Sequence, residues 1–127
     1  MSERLDLYRC EICGTIIQVL NRGDGELVCC GHPMKYLQAH LSDEEKQEKH
    51  VPVFTEDNKI QIGSELHPMT EEHYIQFIEA ISEDKKHVEI KFLAPTEQPI
   101  MELCSHETHT IAKEYCNIHG LWEATKG

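Results

Sequence analysis

The stretch Val88-Glu89-Ile90-Lys91-Phe92 carries an apolar side chain at every second position and a charged side chain between them. A period of two residues is typical of a half-buried β-strand, because successive side chains point to opposite faces of a sheet. Further short apolar stretches follow residue 48, with turn-forming residues between them; the candidate strands are 51–54, 59–62, 73–78, 101–104 and 110–115. Short strands at such spacing predict an all-β domain, an antiparallel β-sandwich, over residues 48–127.

The first 37 residues are predicted to form a separate, smaller unit. Strands at 15–20 and 26–28 flank the turn signal Asn21-Arg22-Gly23-Asp24-Gly25, and the resulting hairpin is expected to bring two cysteine pairs together. A unit this small cannot bury enough apolar surface to be stable alone, so a bound metal is expected to supply what the core lacks. Residues 38–47 are polar and acidic and are predicted to be a linker.

Composition and charge exclude several classes of function. The chain of 127 residues is 39% hydrophobic and 28% charged, which is normal for a globular protein, and its formal net charge is -11. An acidic chain repels phosphate groups, so binding to nucleic acid or to a membrane surface is not expected. No apolar run is long enough to cross a membrane and the N-terminus lacks the apolar core of a signal peptide, so a cytoplasmic location is expected. In that compartment the 6 cysteines are expected to be metal ligands or redox groups rather than disulfides.

Four of the cysteines form the first candidate metal site. Cys10-Glu11-Ile12-Cys13 is a C-x-x-C motif, and Cys29-Cys30 is an adjacent pair. Four thiolates suit either a structural zinc ion or a mononuclear iron. An adjacent pair is unusual in zinc sites because neighbouring residues reach one metal only with strain, yet the spacing leaves zinc and iron both open.

The second candidate site combines histidines with a cysteine. Its members lie at predicted strand ends or in loops: His50, His67, His73, Cys116 and His119. The C-x-x-H motif at 116–119 forms a turn that Gly120 closes, so a thiolate and an imidazole on that turn can bind one ion. Five protein ligands exceed what structural zinc takes and point to iron.

The other cysteine and the other histidines are not expected to bind metal. Cys104 is predicted to be a small buried apolar residue. The histidines in this group are His32, His40, His87, His106 and His109. Tyr115 and Trp122 flank the C-x-x-H turn and are expected to pack rather than to carry electrons.

Over essentially its whole length the chain resembles the desulfoferrodoxins, the two-iron class of superoxide reductases. The stretches that carry the resemblance are the C-x-x-C motif at 10–13, Leu27-Val28-Cys29-Cys30, Glu48-Lys49-His50-Val51-Pro52-Val53, His67-Pro68-Met69-Thr70-Glu71-Glu72-His73-Tyr74-Ile75 and Glu114-Tyr115-Cys116-Asn117-Ile118-His119-Gly120-Leu121-Trp122. The segment 94–110 matches poorly. The resemblance implies a desulforedoxin-like domain at 1–37 and a neelaredoxin-like domain with an immunoglobulin-like sandwich at 48–127.

The resemblance also implies two mononuclear irons for each chain. The first would be held by the four cysteines, Cys10, Cys13, Cys29 and Cys30. The second would have Cys116 as its axial ligand and four histidines in a plane: His50, His67, His73 and His119.

The reaction implied is the one-electron reduction of superoxide to hydrogen peroxide, without release of dioxygen. Superoxide is an anion and the chain is acidic, so a local cation is needed near the iron, and Lys49 is expected to be that cation. Glu48 is expected to bind the ferric iron after turnover. The implied partners are superoxide, a small electron donor such as rubredoxin, and a second copy of the chain in a homodimer. The alternatives are a non-enzymatic iron protein that transfers electrons and a binding module stabilised by zinc.

Overall fold

A computed structural model describes residues 3–41, 51–63, 68–103 and 108–126. In these ranges the regular secondary structure consists of β-strands. No helix in the described ranges is long and apolar enough to cross a membrane. The chain divides into two compact units, Met1–Gln38 and Ala39–Gly127.

The first unit contains a small three-stranded sheet and a separate short hairpin. Its strands are β1 (Leu7–Arg9), β2 (Ile16–Gln18), β3 (Val28–Cys29), β4 (His32–Pro33) and β5 (Lys35–Tyr36). The sheet has the order β2-β1-β5 with antiparallel pairing, and β3 pairs with β4. Its buried apolar side chains among the described residues are few: Leu5, Leu7, Cys10 and Val19.

The predicted hairpin between 15–20 and 26–28 is wrong. Strand β2 pairs with β1 across the loop that holds the first cysteine pair, and β3 pairs with β4 across Cys30 and Gly31. Both turn residues have positive φ, 54° at Cys30 and 74° at Gly31. Such a two-residue turn matches the twist of the two strands that it joins, so it favours pairing between close neighbours in sequence.

The second unit is a sandwich of two sheets, as predicted. Its strands are β6 (His40–Leu41), β7 (Pro52–Phe54), β8 (Lys59–Ile62), β9 (Ile75–Ser82), β10 (Val88–Phe92), β11 (Ile100–Glu102), β12 (His109–Cys116) and β13 (Gly120–Thr125). One sheet has the order β10-β9-β12-β13-β6 and the other has the order β11-β8-β7. The first sheet includes two strands that the sequence did not indicate: β13, and β6 from the predicted linker, which pairs in parallel with β13.

The central cluster of the sandwich core is apolar and buried. The buried residues of the central cluster come from both sheets: Ile60, Ile62, Ile75, Ile78, Ala80, Leu93, Met101, Ala112 and Cys116. Ala80 and Ala112 lie opposite each other in the β9–β12 register, so small side chains face the second sheet at the centre. The last member of the cluster, Cys116, is a predicted metal ligand, so the core reaches the second candidate site.

The alternating stretch 88–92 forms a strand, but its apolar positions lie on the outer face of its sheet. Ile90 pairs with Glu79 and Phe92 pairs with Phe77, whereas the core takes Ile78 and Ala80 from β9. Phe92 is 77% exposed as a result. Strand β10 is at the edge of the sheet, where inward-pointing charged side chains such as those at 89 and 91 can still reach water.

Candidate metal centres

Two turns bring the four N-terminal cysteines together. In the first turn, the Cys10 N–H donates to the Thr15 carbonyl oxygen at 2.8 Å, and the Gly14 N–H donates to the Cys10 carbonyl oxygen at 2.9 Å. Gly14 has φ of 83°, a conformation that glycine adopts without steric cost. The second turn is the β3–β4 connection, in which the positive φ of Cys30 lets an adjacent pair of side chains approach one point. The strain expected for adjacent ligands is therefore located at Cys30.

The four sulfur atoms form a compact cluster. All of them lie within 4.8 Å of one another. The Sγ atoms of Cys13 and Cys29 are 3.6 Å apart, and those of Cys29 and Cys30 are 4.0 Å apart. Cys10 is buried, whereas Cys13 and Cys30 are exposed. Four thiolates at such distances fit a tetrahedral metal ion.

The pKa values of the cysteines in this cluster are shifted in opposite directions. The Thr15 side chain, with Oγ1 3.2 Å from Cys13 Sγ, lowers the pKa of Cys13 to about 6. The neighbouring sulfur atoms, Cys13 first, raise the pKa of Cys29 to about 12. Four sulfur atoms in one place cannot all carry a negative charge without a cation, which a metal ion provides. Sequence reasoning treated Thr15 only as the start of a strand.

A second cluster lies where β9 begins and β12 ends. The ligand atoms of His73, Cys116 and His119 all lie within 4.8 Å of one another. Cys116 Sγ is 3.8 Å from His119 Nδ1, and the rings of His73 and His119 have centroids 5.0 Å apart. Cys116 and Gly120 are a register pair of the β12–β13 hairpin, so the three-residue loop between them presents His119 beside the thiol. Gly120 has φ of 84°, which allows that loop to close.

Burial sets the protonation of these ligands. It raises the pKa of the Cys116 thiol, and the backbone N–H groups of His119 and Ile118 oppose this by donating to the sulfur. Burial also lowers the pKa of His73, and the nearby His119 lowers it further. A neutral imidazole is the form that binds a metal, so His73 is prepared for that role.

Backbone and side-chain contacts hold both ligand loops. The His73 N–H donates to the Thr70 hydroxyl at 3.2 Å. On the other loop, Trp122 Nε1 donates to the His119 carbonyl oxygen at 3.3 Å. The Trp122 ring is buried and lies 4.6 Å from the His40 ring.

Glu114 is a buried acid that sequence reasoning did not identify. It is fully buried, two residues before Cys116, and burial raises its pKa well above the ordinary value. Among the described residues, no hydrogen-bond partner reaches either carboxylate oxygen. It pairs with Ile78 in the β9–β12 register, next to the Ala112–Ala80 pair, and contributes to the raised pKa of Cys116. The only sequence signal was an acidic residue at an alternate position between Ala112 and Cys116, on the face of β12 that these two buried residues share.

The remaining predicted residues divide into those that the structure describes and those that lie outside the described residues. The second group contains Glu48, Lys49, His50, His67, Cys104 and His106. Within the described part, His109 is buried and its Nε2 lies 3.1 Å from Glu89 Oε1. His32 is exposed and pairs with Cys29 in the β3–β4 register. Tyr115 stacks on Phe77 with ring centroids 6.0 Å apart.

Comparison with known proteins gives concordant results for both units. Residues 2–37 match the family described as desulfoferrodoxin, N-terminal domain, and residues 42–125 match the family described as desulfoferrodoxin. A desulfoferrodoxin from Desulfarculus baarsii is 46% identical over 127 residues, covering 98% of each chain. A desulfoferrodoxin homolog from Archaeoglobus fulgidus is 45% identical, covering 98% of this chain and 99% of its own.

A solved structure shows the same fold over nearly the whole chain. The superoxide reductase from Treponema pallidum superposes with a TM-score of 0.73 at 23% identity, and the match covers 97% of this chain and 98% of that one. With the family matches to both units, these similarities establish that the chain belongs to the desulfoferrodoxin family.

Proposed function

We propose that this protein is a superoxide reductase, which takes one electron and two protons to convert superoxide into hydrogen peroxide without releasing dioxygen. The observation that carries the proposal is the cluster of His73, Cys116 and His119, whose ligand atoms lie within 4.8 Å of one another. Family membership supports the same reaction, since the desulfoferrodoxins were identified above as two-iron superoxide reductases.

The proposed second site would hold iron through one thiolate and four imidazoles. Cys116 and His119 would bind from the β12–β13 loop and His73 from the turn before β9, with His50 and His67 completing the set. Thiolate and imidazole ligands both suit iron, and the neutral state favoured for His73 supports binding. A ferrous ion held by these residues would supply the electron that superoxide accepts.

Residues around the second site would handle the charge of the substrate. The formal net charge of -11 repels an anion, so we propose that Lys49 attracts superoxide locally. We propose that Glu48 binds at the site once the iron is ferric. The N–H groups of Ile118 and His119 donate to the Cys116 sulfur and stabilise its thiolate form.

The four-cysteine unit would hold the first iron and store or relay electrons. We propose residues 1–37 as this domain, 38–47 as the linker, in which β6 adds a strand to the sandwich, and 48–127 as the reductase domain. A small carrier such as rubredoxin would supply the electrons. A homodimer and a cytoplasmic location belong to the same proposal.

Visible absorption with metal analysis tests the proposed function directly. The full chain should contain two irons, show a rubredoxin-like spectrum, and gain a thiolate-to-ferric band when a mild oxidant is added. Rates of superoxide consumption and peroxide formation then establish the reaction. A colourless protein with zinc at the cysteines would leave a structural binding module. Two irons without superoxide consumption would leave an electron-transfer protein.

A further inference from the structure

The regular ladder between β9 and β12 ends next to the second cluster. Its last register pair is Ile75 with Cys116, and the register shifts between Tyr115 and Cys116. The residue after Cys116, Asn117, continues the contact between the two strands: its backbone N–H donates to the Tyr74 carbonyl oxygen at 3.2 Å. Beyond this point the pairing must come from side chains, because the chain turns away at the β12–β13 loop.

The side-chain amide of Asn117 supplies that pairing with two further hydrogen bonds. Its Oδ1 accepts from the Tyr74 N–H at 2.9 Å, and its Nδ2 donates to the Glu72 carbonyl oxygen at 3.0 Å. The Glu72 carbonyl belongs to the peptide group before His73, and the Tyr74 N–H belongs to the peptide group after it. One amide therefore binds both peptide groups that flank His73.

These bonds differ in kind from the local bonds within the turn. The Thr70 hydroxyl and backbone bond to His73 and shape the turn from residue 70 to residue 73. They do not attach that turn to the loop that carries Cys116 and His119. Asn117 makes that attachment, and it is adjacent in sequence to Cys116.

The chemistry of the contact requires an amide. A carboxamide presents an acceptor and a donor in one plane, whereas a carboxylate only accepts and a hydroxyl group on a shorter side chain cannot reach both peptides. A preference of asparagine for positive φ does not explain its presence, since Asn117 is not among the residues with positive φ. The side chain is exposed, so neither does burial.

We propose that Asn117 is a positioning residue that holds the His73 imidazole at a fixed distance from the Cys116 thiolate and the His119 imidazole. This inference rests on the proposed second iron site. Hydrogen bonds that orient metal ligands typically change metal affinity by about 10- to 100-fold when they are lost. The effect is expected at the second iron and not at the four-cysteine iron.

The test follows release of Fe(II) from the reduced, iron-loaded full chain to a ferrous chelator. Samples taken during release are reoxidised, so that the iron left in each site is read separately by its ferric absorption. In Asn117→Ala the second iron should leave about 10- to 100-fold faster than in the wild type, and the thiolate-to-ferric band should weaken or shift. The four-cysteine iron should leave at the wild-type rate. Asn117→Asp keeps the acceptor for Tyr74 but loses the donor for Glu72, so its release rate should lie between the two.

Asn58→Gly is the matched control. Asn58 Nδ2 donates to the Leu103 carbonyl oxygen at 3.2 Å, an exposed long-range bond of the same kind, from a turn that carries no proposed ligand. Glycine tolerates the φ of 63° at this position. This variant should release both irons at wild-type rates.

Equal release of the second iron from Asn117→Ala and the wild type would overturn the inference while the proposed function stands. Equal acceleration by Asn58→Gly would also overturn it, because the effect would then be general loss of stability. If Asn117→Ala does not fold, Asn117→Asp decides alone, and a wild-type release rate would refute the inference. A wild-type chain without a second iron would refute the proposed function and this inference with it.

Discussion

The two candidate metal centres are built in opposite ways. The four-cysteine cluster lies on two turns of a unit whose described apolar core is Leu5, Leu7, Cys10 and Val19. Cys10 is itself one of these core residues, as Cys116 is in the larger core of the second unit. The second cluster lies at one end of a sandwich whose core includes Ile60, Ile62, Ile75 and Ile78, all fully buried.

In the first unit the fold depends on the bound metal, whereas in the second unit the metal site depends on the fold. In the first unit several large apolar side chains are exposed, among them Ile12, Leu20 and Val28, so burial alone contributes little to stability. A bound metal must supply most of the stability there. In the second unit the packed sheets exist first and place the ligand loops, so the fold should not require the metal.

Removal of iron provides the largest expected difference between the units. The binding of structural zinc contributes about 10 to 16 kcal/mol to the folding of zinc-finger peptides. If iron contributes a comparable free energy to the first unit, the small core of that unit cannot offset its loss. The metal-free chain, kept reduced, should show unfolded amide signals for Met1–Gln38 and dispersed signals for Ala39–Gly127 by NMR. Re-addition of Fe(II) or Zn(II) should restore the first unit. Dispersed signals from both metal-free units would contradict the comparison.

Single ligand substitutions separate the two centres. Cys116→Ser should abolish the thiolate-to-ferric band and reduce superoxide consumption by more than the about 100-fold expected for loss of a supporting contact. The rubredoxin-like spectrum should persist, because the first unit is untouched. Cys13→Ser should abolish the rubredoxin-like spectrum and disorder the first unit, while the thiolate-to-ferric band should persist. Loss of both spectra in either variant would show that the centres depend on each other.

Substitution of Lys49 tests whether its positive charge attracts superoxide to the second site. Lys49→Ala should slow the encounter with superoxide by about tenfold and flatten its dependence on salt, since local fields change association rates by about 10- to 1000-fold. Lys35→Ala in the first unit removes the same charge and an exposed ion pair with Glu11, and it should leave the rate unchanged. Pulse radiolysis measures both rates. An unchanged, still salt-sensitive rate in Lys49→Ala would remove this lysine from the mechanism.

The buried Glu114 should make the stability of the metal-free sandwich depend on pH. Burial raises the pKa of Glu114 in the folded state, so the folded sandwich favours the neutral carboxyl group. The sandwich therefore has its full stability below the pKa that Glu114 has in the unfolded chain. Stability is then lost as pH rises through the folded pKa. Glu114→Gln should remove this loss, because an amide does not ionise, and the variant should be more stable than the wild type at neutral pH. Urea unfolding of the metal-free wild type and variant measures the free energy of unfolding. The measurement covers about pH 5 to pH 8, the range in which folded proteins are most stable. If the free energy of unfolding changes with pH by the same amount in both proteins, Glu114 does not cause the pH dependence.

The smallest expected effect concerns the turn that presents Cys30. Gly31 has φ of 74° and a Cβ there would meet no atom within 4 Å, so Gly31→Ala should cost only backbone strain, about 1 to 2 kcal/mol. Gly23→Ala has equal space and no positive φ, so its stability should be unchanged or slightly higher. Denaturant unfolding of the iron-loaded chain, followed at the four-cysteine absorption, compares the two. Equal stabilities would mean that the turn conformation carries no strain.

Much of the architecture could be predicted from local patterns. The sandwich and most of its strands follow from two-residue periodicity, and the pairing of Cys116 with His119 follows from C-x-x-H spacing. The grouping of His73 with them was implied by the resemblance to the desulfoferrodoxins. The hairpin in the first unit could not be predicted, because several turns compete and only the assembled sheet selects between them. Nor could the outward orientation of Ile90 and Phe92, since alternation identifies two faces but not which one is covered.

By itself the sequence predicted the types of ligand, the grouping of residues within the C-x-x-C and C-x-x-H motifs and an organisation in two units, because motif spacing and strand periodicity are local properties. Only the tertiary structure decided that Asn117 bridges Glu72 and Tyr74 on both sides of His73, and that Glu114 is buried beside Cys116. Such contacts join segments distant in the chain. Their formation depends on the register between β9 and β12, which the packing of the whole sandwich sets.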